Sequence, residues 1–524
     1  MLGVADGVAP LDTDARLPEA HLPASAVAAA AAATAAGTAA AAAALTAAQA
    51  QQAADQPDWL AILAARSATS TMQLKKINST NELEISCLSP TGAHTTFQFY
   101  GSTYGDDYRM LANVWTGTST VIMAQALRKK YADLALTGTY VGGAGAFVYT
   151  TDKTTPATWS TTVQIDLDGS DLRFHTYKDN RGGLWQITIT GLTSATVNVS
   201  TYSAAAGAYD TTGITLLTNL RAGVYTVAGK FLGDDPLNVP SGGAGTARGW
   251  LANNGTGTGN PTLLDVFSPF RSISKDTLLK PASNQDFAIQ IQPGDGSGSP
   301  EFVPYHGVAT AVFADQPVFY DGGDVIDLAN LVVGQYKALK AFELTQRVYG
   351  RNPASGTTNL IEIATSQRIR PNGQLSVAGR VVPLAPVKMG SNYVIMCPAA
   401  MAIFDQYVSS FGNKYRNGAD LIGTSTPLTS EADRATSGVF LSSTRKDLAV
   451  AFRYTNMAET MRRGKDRKPA DGSKAFLQHR DASIVKVYNQ PYAAGAIVAA
   501  GEIQRFSGDY LYLQAPGLFD QLSL

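Results

Sequence analysis

The phrase in this chain best suited to chemistry is Glu301-Phe302-Val303-Pro304-Tyr305-His306-Gly307. A tyrosine beside a histidine, with arginines such as Arg347 and Arg351 elsewhere, supplies the residue types that abstract a proton from a sugar acid and neutralise its carboxylate. Tyr305, His306 and Arg347 are therefore the catalytic candidates of a reading as a surface-polysaccharide depolymerase or lyase. Adjacent residues of a strand face opposite sides of a sheet, so Tyr305 and His306 could meet one substrate only from a loop. A structural histidine in a turn explains the same phrase without chemistry. The five histidines, His21, His94, His175, His306 and His479, show no HxH or HExxH spacing, so no zinc site is expected. Asp166-Leu167-Asp168-Gly169-Ser170-Asp171 suggests a calcium loop but lacks the EF-hand spacing and its downstream glutamate. An Asp-Gly hairpin turn accounts for it better. With no GxSxG elbow, Walker loop or GxGxxG motif before a helix, the leading expectation is a non-enzyme with no cofactor and no metal.

Residues that could bind a sugar stand out more. Phe174, Tyr177, Trp185, Tyr202, Tyr209 and Trp250 fall in or beside one strand-rich region. Flat rings stack on the apolar faces of sugars, and Asn180 and Arg181 could bond hydroxyls. Trp185 and Tyr202 alternate with polar neighbours and are expected to fill a core. Tyr177, Asn180 and Arg181, in the turn-like stretch Tyr-Lys-Asp-Asn-Arg-Gly-Gly, and Trp250 are the glycan-binding candidates. The basic run Met461–Lys468 reads as a solvated loop or, more sharply, as a surface for an acidic cell-wall polymer.

The elements that must position these residues are mostly strands. Period-two alternation marks 83–88, 95–100, 286–291, 342–349, 359–363 and 374–377 as half-buried strands, and Asn372-Gly373 is a tight-turn dipeptide. One helix is expected over Ser119–Leu134, with Arg128, Lys129 and Lys130 near its end, where cations suit the helix dipole. Between 138 and 240, short strands at regular spacing with Gly and Asp turns argue for an antiparallel sandwich. Its phrases, a Tyr-Thr-Thr strand, a Gly-Gly-x-Trp strand into a Thr-Gly turn, a Thr-Tyr-Ser strand and Leu-x-x-Gly-x-Tyr, resemble galactose-binding-like jelly-roll domains. Those commonly serve as carbohydrate-binding modules. A Gly/Ser/Asn-rich linker over 241–266 has too little apolar content for a core. A β-rich junction with one helix is expected over 57–137 and a large β-sandwich over 267–524, whose long antiparallel run looks like a super-sandwich.

The N-terminus points elsewhere. Residues 24–50 contain 19 alanines in 27 positions and no charge. Alanine has the highest helix propensity, so 24–56 is expected to form a helical stalk, ended by Pro57; a flexible linker is the rival. Thr34, Gly37, Thr38, Thr46 and Gln49 interrupt the apolar run that a membrane span needs, and no basic region precedes it as in a secretory signal. Just before it, Val8, Pro10, Leu11, Asp12, Leu17, Pro18, Leu22 and Pro23 belong to the pattern GVAPLDxDxRLPxxHLP. This pattern resembles a short segment that recurs in bacteriophage tail fibres and related virion appendages. The resemblance covers about 20 of 524 residues and implies that 1–23 is a virion attachment motif.

Composition fits that direction. Hydrophobic residues make up 45% and charged residues 16%, with 49 glycines, a profile of short strands joined by turns. A formal net charge of −1 gives no electrostatic reason to bind nucleic acid or membrane. Cys87 and Cys397 lie far apart and read as small buried hydrophobes rather than a disulfide framework. The expected protein is mainly β: an attachment peptide and alanine-rich helical stalk followed by jelly-roll-like sandwiches. Its expected role is that of a virion-located tail fibre or receptor-binding protein, with a capsid or neck fibre as variant. The expected partners are two further copies in a parallel homotrimer, other tail or neck proteins and a host cell-surface polysaccharide.

Overall fold

The computed structural model describes residues 28–29, 32–40, 43, 60–61, 71–100, 106–142, 148–252, 261–410, 412–428, 437–455, 474–491 and 494–514. The attachment candidates from Val8 to Pro23, most of the alanine tract and the basic run 461–468 lie outside the described residues. The chain divides into two units, Met1–Asp58 and Trp59–Leu524. In the first, residues 28–29, 32–40 and 43 are helical, and the Thr38 hydroxyl donates back to the Thr34 carbonyl at 2.9 Å.

The second unit is mainly β and antiparallel throughout its ladders. A ten-stranded sheet contains Ala311–Asp321, Phe342–Arg351, Asn359–Ile369, Gln374–Pro383 and Gln504–Gln514 as consecutive neighbours, then Leu448–Tyr454 and Ser437–Leu441. A nine-stranded sheet runs through Ile214–Leu220, Ser170–Phe174, Thr262–Ile273 and Leu111–Lys130 to Ala93–Phe99, Leu83–Leu88, Thr71–Lys76 and Tyr336–Leu339. The expected tight turn at Asn372-Gly373 closes one of these hairpins. Gly373 has φ +80°, a conformation that suits glycine, and its N–H donates to the Arg370 carbonyl at 2.9 Å.

Two hydrophobic cores result, and they cut across the expected domains. The larger joins Met72–Val114 to Leu279–Tyr512, so the 57–137 segment has no core of its own and shares that of the C-terminal sandwich. The smaller is built from residues between Val148 and Val266, with Trp159, Trp185 and Tyr225 at its centre. It lies between the sheet Ala195–Ser200, Leu184–Thr190, Gly223–Gly233, Thr158–Ile165, Ala135–Thr137 and the far end of the nine-stranded sheet. The sandwich is thus an insertion between two strands of the larger body.

The first of those two strands replaces the expected helix. Leu111–Lys130 is one 20-residue strand, paired from Ser119 to Lys130 with Thr262–Ile273. Thr118, Thr120, Val121 and Ile122 are β-branched, which costs side-chain freedom in a helix and suits a pleated sheet. The partner strand then outweighs the helix-like spacing of Met123, Ala126 and Leu127. The near end of this strand gives Leu111 and Val114 to the larger core, while Ala126 and Leu127 pack on the smaller.

The expected linker at 241–266 is also overturned. Gly249–Ala252 pairs with Val148–Thr150, and Ala247, Leu251, Leu263 and Leu264 are core residues. Its apolar side chains are few, but each closes the sandwich. Asp166–Gly169 makes no hairpin either, since the strands on its two sides belong to different sheets. Instead Asp168 accepts the Ala222 N–H at 2.7 Å, tying this crossover to the next turn. Cys87 and Cys397 are buried free thiols, as expected, and burial pushes the Cys87 thiol up to about 12.

The larger core also encloses Lys280. Its ammonium donates to the carbonyls of Leu111, Ala112 and Ser283 at 2.8, 2.7 and 2.9 Å. Burial lowers its pKa to about 7. The lysine there serves as a hydrogen-bond hub for three buried main-chain carbonyls.

Candidate functional site

The glycan candidates of the sandwich converge, but on a closed cluster. Trp250 is 1% exposed, which removes it as a stacking platform. Its indole N–H donates to Asp179 Oδ1 at 2.7 Å, and Tyr177 and Tyr149 pack on its ring with centroids at 4.9 and 4.8 Å. The signal that misled is its setting among Gly and Asn residues, which read as loop. Arg181 Nε and Nη2 both reach Asp179 Oδ2, at 2.8 and 2.6 Å, and Arg248 lies over Tyr149 at 4.4 Å. Buried Asp179 thus accepts from the indole and the guanidinium and also from the Arg181 backbone N–H. Arg181 is anchored in this ion pair, with 42% of its side chain exposed. Asn180 is exposed, yet its carbonyls hold Ser241. Trp185 fills the core as expected, while Tyr202 is only half-buried.

Tyr305 and His306 occupy an exposed tight turn closed between Tyr305 and Val308. The turn is built by Asp106, whose carboxylate accepts the backbone N–H groups of Tyr305, Thr310 and Ala311. His306 Nε2 meets Asn284 Oδ1 at 3.0 Å. Partial burial first, and then the positive charges of Arg480 and Lys486, push His306 below its ordinary value. Among the described residues no cluster of His, Cys, Asp and Glu has the makings of a metal site, and no helix is long and apolar enough to cross a membrane.

Arg347 stands elsewhere, in an open groove of about 470 Å³ on the outer face of the ten-stranded sheet. Neither Tyr305 nor His306 lines it, so the three catalytic candidates do not meet there. The groove follows from strand alternation. Phe342–Arg351 buries every second residue and turns Glu343, Thr345, Arg347 and Tyr349 outward. Across the ladder Asp315 stands opposite Arg347, Arg347 opposite Ala364, Ala364 opposite Arg380, and Arg380 opposite Arg505. Residues directly opposite share a face, so three guanidiniums and one carboxylate occupy a single rung. The next rung is Thr345, Ser366, Ala378 and Ser507. The small side chains of Ala364, Ser366 and Ala378 leave the floor low between arginine walls.

Glu362 organises this rung. It stands 3.1 Å from Arg380 and 3.6 Å from Arg347, and only 16% of its side chain is exposed. Asp315, 62% exposed, pairs with Arg347 at 2.6 Å from the open side. Arg380, Arg505, Asp315 and Glu362 were not singled out by sequence. Each strand shows its outward charge, but only the pairing register brings those charges together.

No family model matches the chain, and no curated protein does. Among solved structures, a GH36 alpha-galactosidase from Geobacillus stearothermophilus is similar with a TM-score of 0.28 and 13% identity, over 46% of this chain and 33% of that one. A putative aldose 1-epimerase from Klebsiella pneumoniae gives 0.22 and 8%, over 42% and 66%. A cycloisomaltooligosaccharide glucanotransferase from Paenibacillus gives 0.14 and 9%, over 77% and 47%. The chain therefore spans a third to two thirds of the length of these β-rich, carbohydrate-processing neighbours.

Proposed function

We propose that this chain is a non-enzymatic component of a phage virion appendage, a tail fibre or receptor-binding protein, that recognises a host surface polysaccharide through the outer face of its ten-stranded sheet. The observation that carries the binding half is the open groove of about 470 Å³, within the size range of small-molecule sites. The guanidiniums of Arg347, Arg380 and Arg505 and the hydroxyls of Thr345 and Ser366 stand around an apolar floor that includes Val318, Ala364 and Ala378, a mix that can meet both the hydroxyls and the C–H faces of a sugar. The virion half is supported by residues 7–23, which resemble phage fibre segments, and by the alanine-rich stretch after them. In this reading the N-terminus meets tail or neck proteins and the 24–56 segment associates as a parallel trimer. Trimerisation would turn three weak glycan sites into one strong one through effective concentration.

Purified particles are the test. Mass spectrometry of the particles and immunogold labelling are expected to find the chain on an external appendage. Purified chain is expected to bind host envelope polysaccharide without shortening it. Absence of the chain from particles would overturn the virion reading, and glycan shortening that His306→Ala abolishes would replace it with the lyase.

A further inference from the structure

The groove's charge pattern points to the kind of glycan. We infer that it takes a carboxylated polysaccharide, lying across the strands, with acid groups two sugar units apart on Arg347 and on the adjacent pair Arg380 and Arg505. This rests on the reading that the sheet face binds glycan, and it adds the ligand's class and direction.

The guanidiniums of Arg347, Arg380 and Arg505 all line the groove, with Asp315 on their rung and Glu362 on the neighbouring one, opposite Tyr349 and Val382. Glu362, mostly buried, is part of the frame: it holds Arg347 and Arg380 on either side of the Ala364 notch, so little side-chain freedom remains to be lost on binding. Asp315 reaches Arg347 from solvent, in the position a ligand carboxylate would take. The guanidinium's planar fork matches a carboxylate in two parallel hydrogen bonds, which a neutral hydroxyl cannot reproduce.

Spacing sets the direction. Neighbouring strands lie about 4.8 Å apart, so Arg347 and Arg380, two strands apart, are separated by roughly 10 Å. Two pyranose units of an extended chain cover a similar span, which brings every second acid group to the same side. The hydroxyls of Thr345, Ser366 and Ser507 then run parallel to the chain one rung away, within reach of sugar hydroxyls.

The test presents full-length protein with matched polymers: polygalacturonate, alginate and hyaluronan, each beside its methyl-esterified or carboxyl-reduced form, with polyphosphate as a non-sugar polyanion. Arg380→Gln with Arg505→Gln removes charge from exposed strand positions, and Ala378→Trp fills the floor while leaving charge intact. At least one carboxylated polymer is expected to bind, its neutral form about tenfold or more weaker. Both variants are expected to lose that binding, Ala378→Trp with unchanged melting temperature and the arginine pair with a small decrease from the lost Glu362 partner. Equal binding of acidic and neutral forms, with Ala378→Trp abolishing both, would overturn the acidic assignment and leave the glycan groove standing. Polyphosphate binding as tightly, with Ala378→Trp without effect, would reduce the site to unspecific charge. Retention of no polymer of either kind would overturn the glycan reading itself.

Discussion

Two of the places where arginine meets carboxylate in this molecule are built for opposite ends. In the sandwich, Asp179 is buried and accepts from Trp250, from the Arg181 side chain and from the Arg181 backbone, so the indole is consumed by the fold and the guanidinium, still 42% exposed, is anchored to a buried acid. On the ten-stranded sheet, Arg347 and Arg380 share Glu362 over a floor of small side chains, and the acid that faces outward, Asp315, is exposed. The residue types are alike. What separates a structural cluster from a binding surface here is where the carboxylate sits. A buried carboxylate demands its full set of donors, whereas an exposed one leaves the guanidinium open to exchange partners.

The sharpest way to break this contrast is at Trp250. Trp250→Ala is expected to cost about 3–5 kcal/mol of stability, as for other large buried aromatics, read from urea unfolding. Polysaccharide retention should remain intact in the folded fraction. Lost retention with little loss of stability would mean that Trp250 serves a ligand and that the two regions do not differ in kind.

A paired comparison of acids gives a smaller but cleaner difference. Asp179→Ala leaves a buried indole N–H and a guanidinium without their acceptor, and should cost about 2–3 kcal/mol. Asp315→Asn removes an acid from an exposed pair and should change stability by less than about 0.5 kcal/mol. Similar costs for both would show that exposure of the carboxylate does not decide the matter.

Much of the fold was legible in sequence, because period-two alternation is a local signal. The turn at Asn372-Gly373 and the strands 83–88, 342–349 and 374–377 emerge where alternation places them, the last two running on to Arg351 and Pro383. Two features were not local. Ser119–Leu134 has helix-like spacing, and only its pairing with Thr262–Ile273 makes it strand. The sandwich is an insertion, so Met72–Val114 shares a core with residues more than 150 positions away in the chain. The same limit applies to the groove. Arg347 has a residue type suited to lyase chemistry with Tyr305 and His306, but its real neighbours, Asp315 and Glu362, are set by register. Tyr177, Arg181 and Trp250 were correctly grouped, yet sequence could not tell an exposed platform from one closed by Asp179.

The finest distinction between the regions is their response to pH, since the sandwich holds a titrating ion pair and the groove's rung contains no histidine. His175 and Asp265 are both buried, with Nε2 3.2 Å from Oδ2; Nδ1 lies 2.9 Å from the Asp210 carbonyl. The Tyr209 ring stacks on the imidazole, Arg128 approaches the other Asp265 oxygen at 3.5 Å, and Lys178 holds Asp210 at 2.8 Å. Burial by itself would lower the pKa of His175, but the attraction of Asp265 and of the Asp210 carbonyl outweighs it and the pKa rises above 6.5. A raised histidine pKa gives stability that is fully present below 6.5 and is lost as pH climbs through the folded-state value. His94, His306 and His479 are shifted the other way, mainly by burial, so the slope of the intact protein mixes both signs. The informative quantity is the difference in unfolding free energy between the protein and His175→Gln, followed across the near-neutral range. That difference should be largest at the acidic end and shrink as pH rises, while the difference for Arg380→Gln should stay flat. A His175 difference that grows with pH would mean a neutral imidazole beside Asp265, and would leave Arg128 as the sole cation balancing that buried acid.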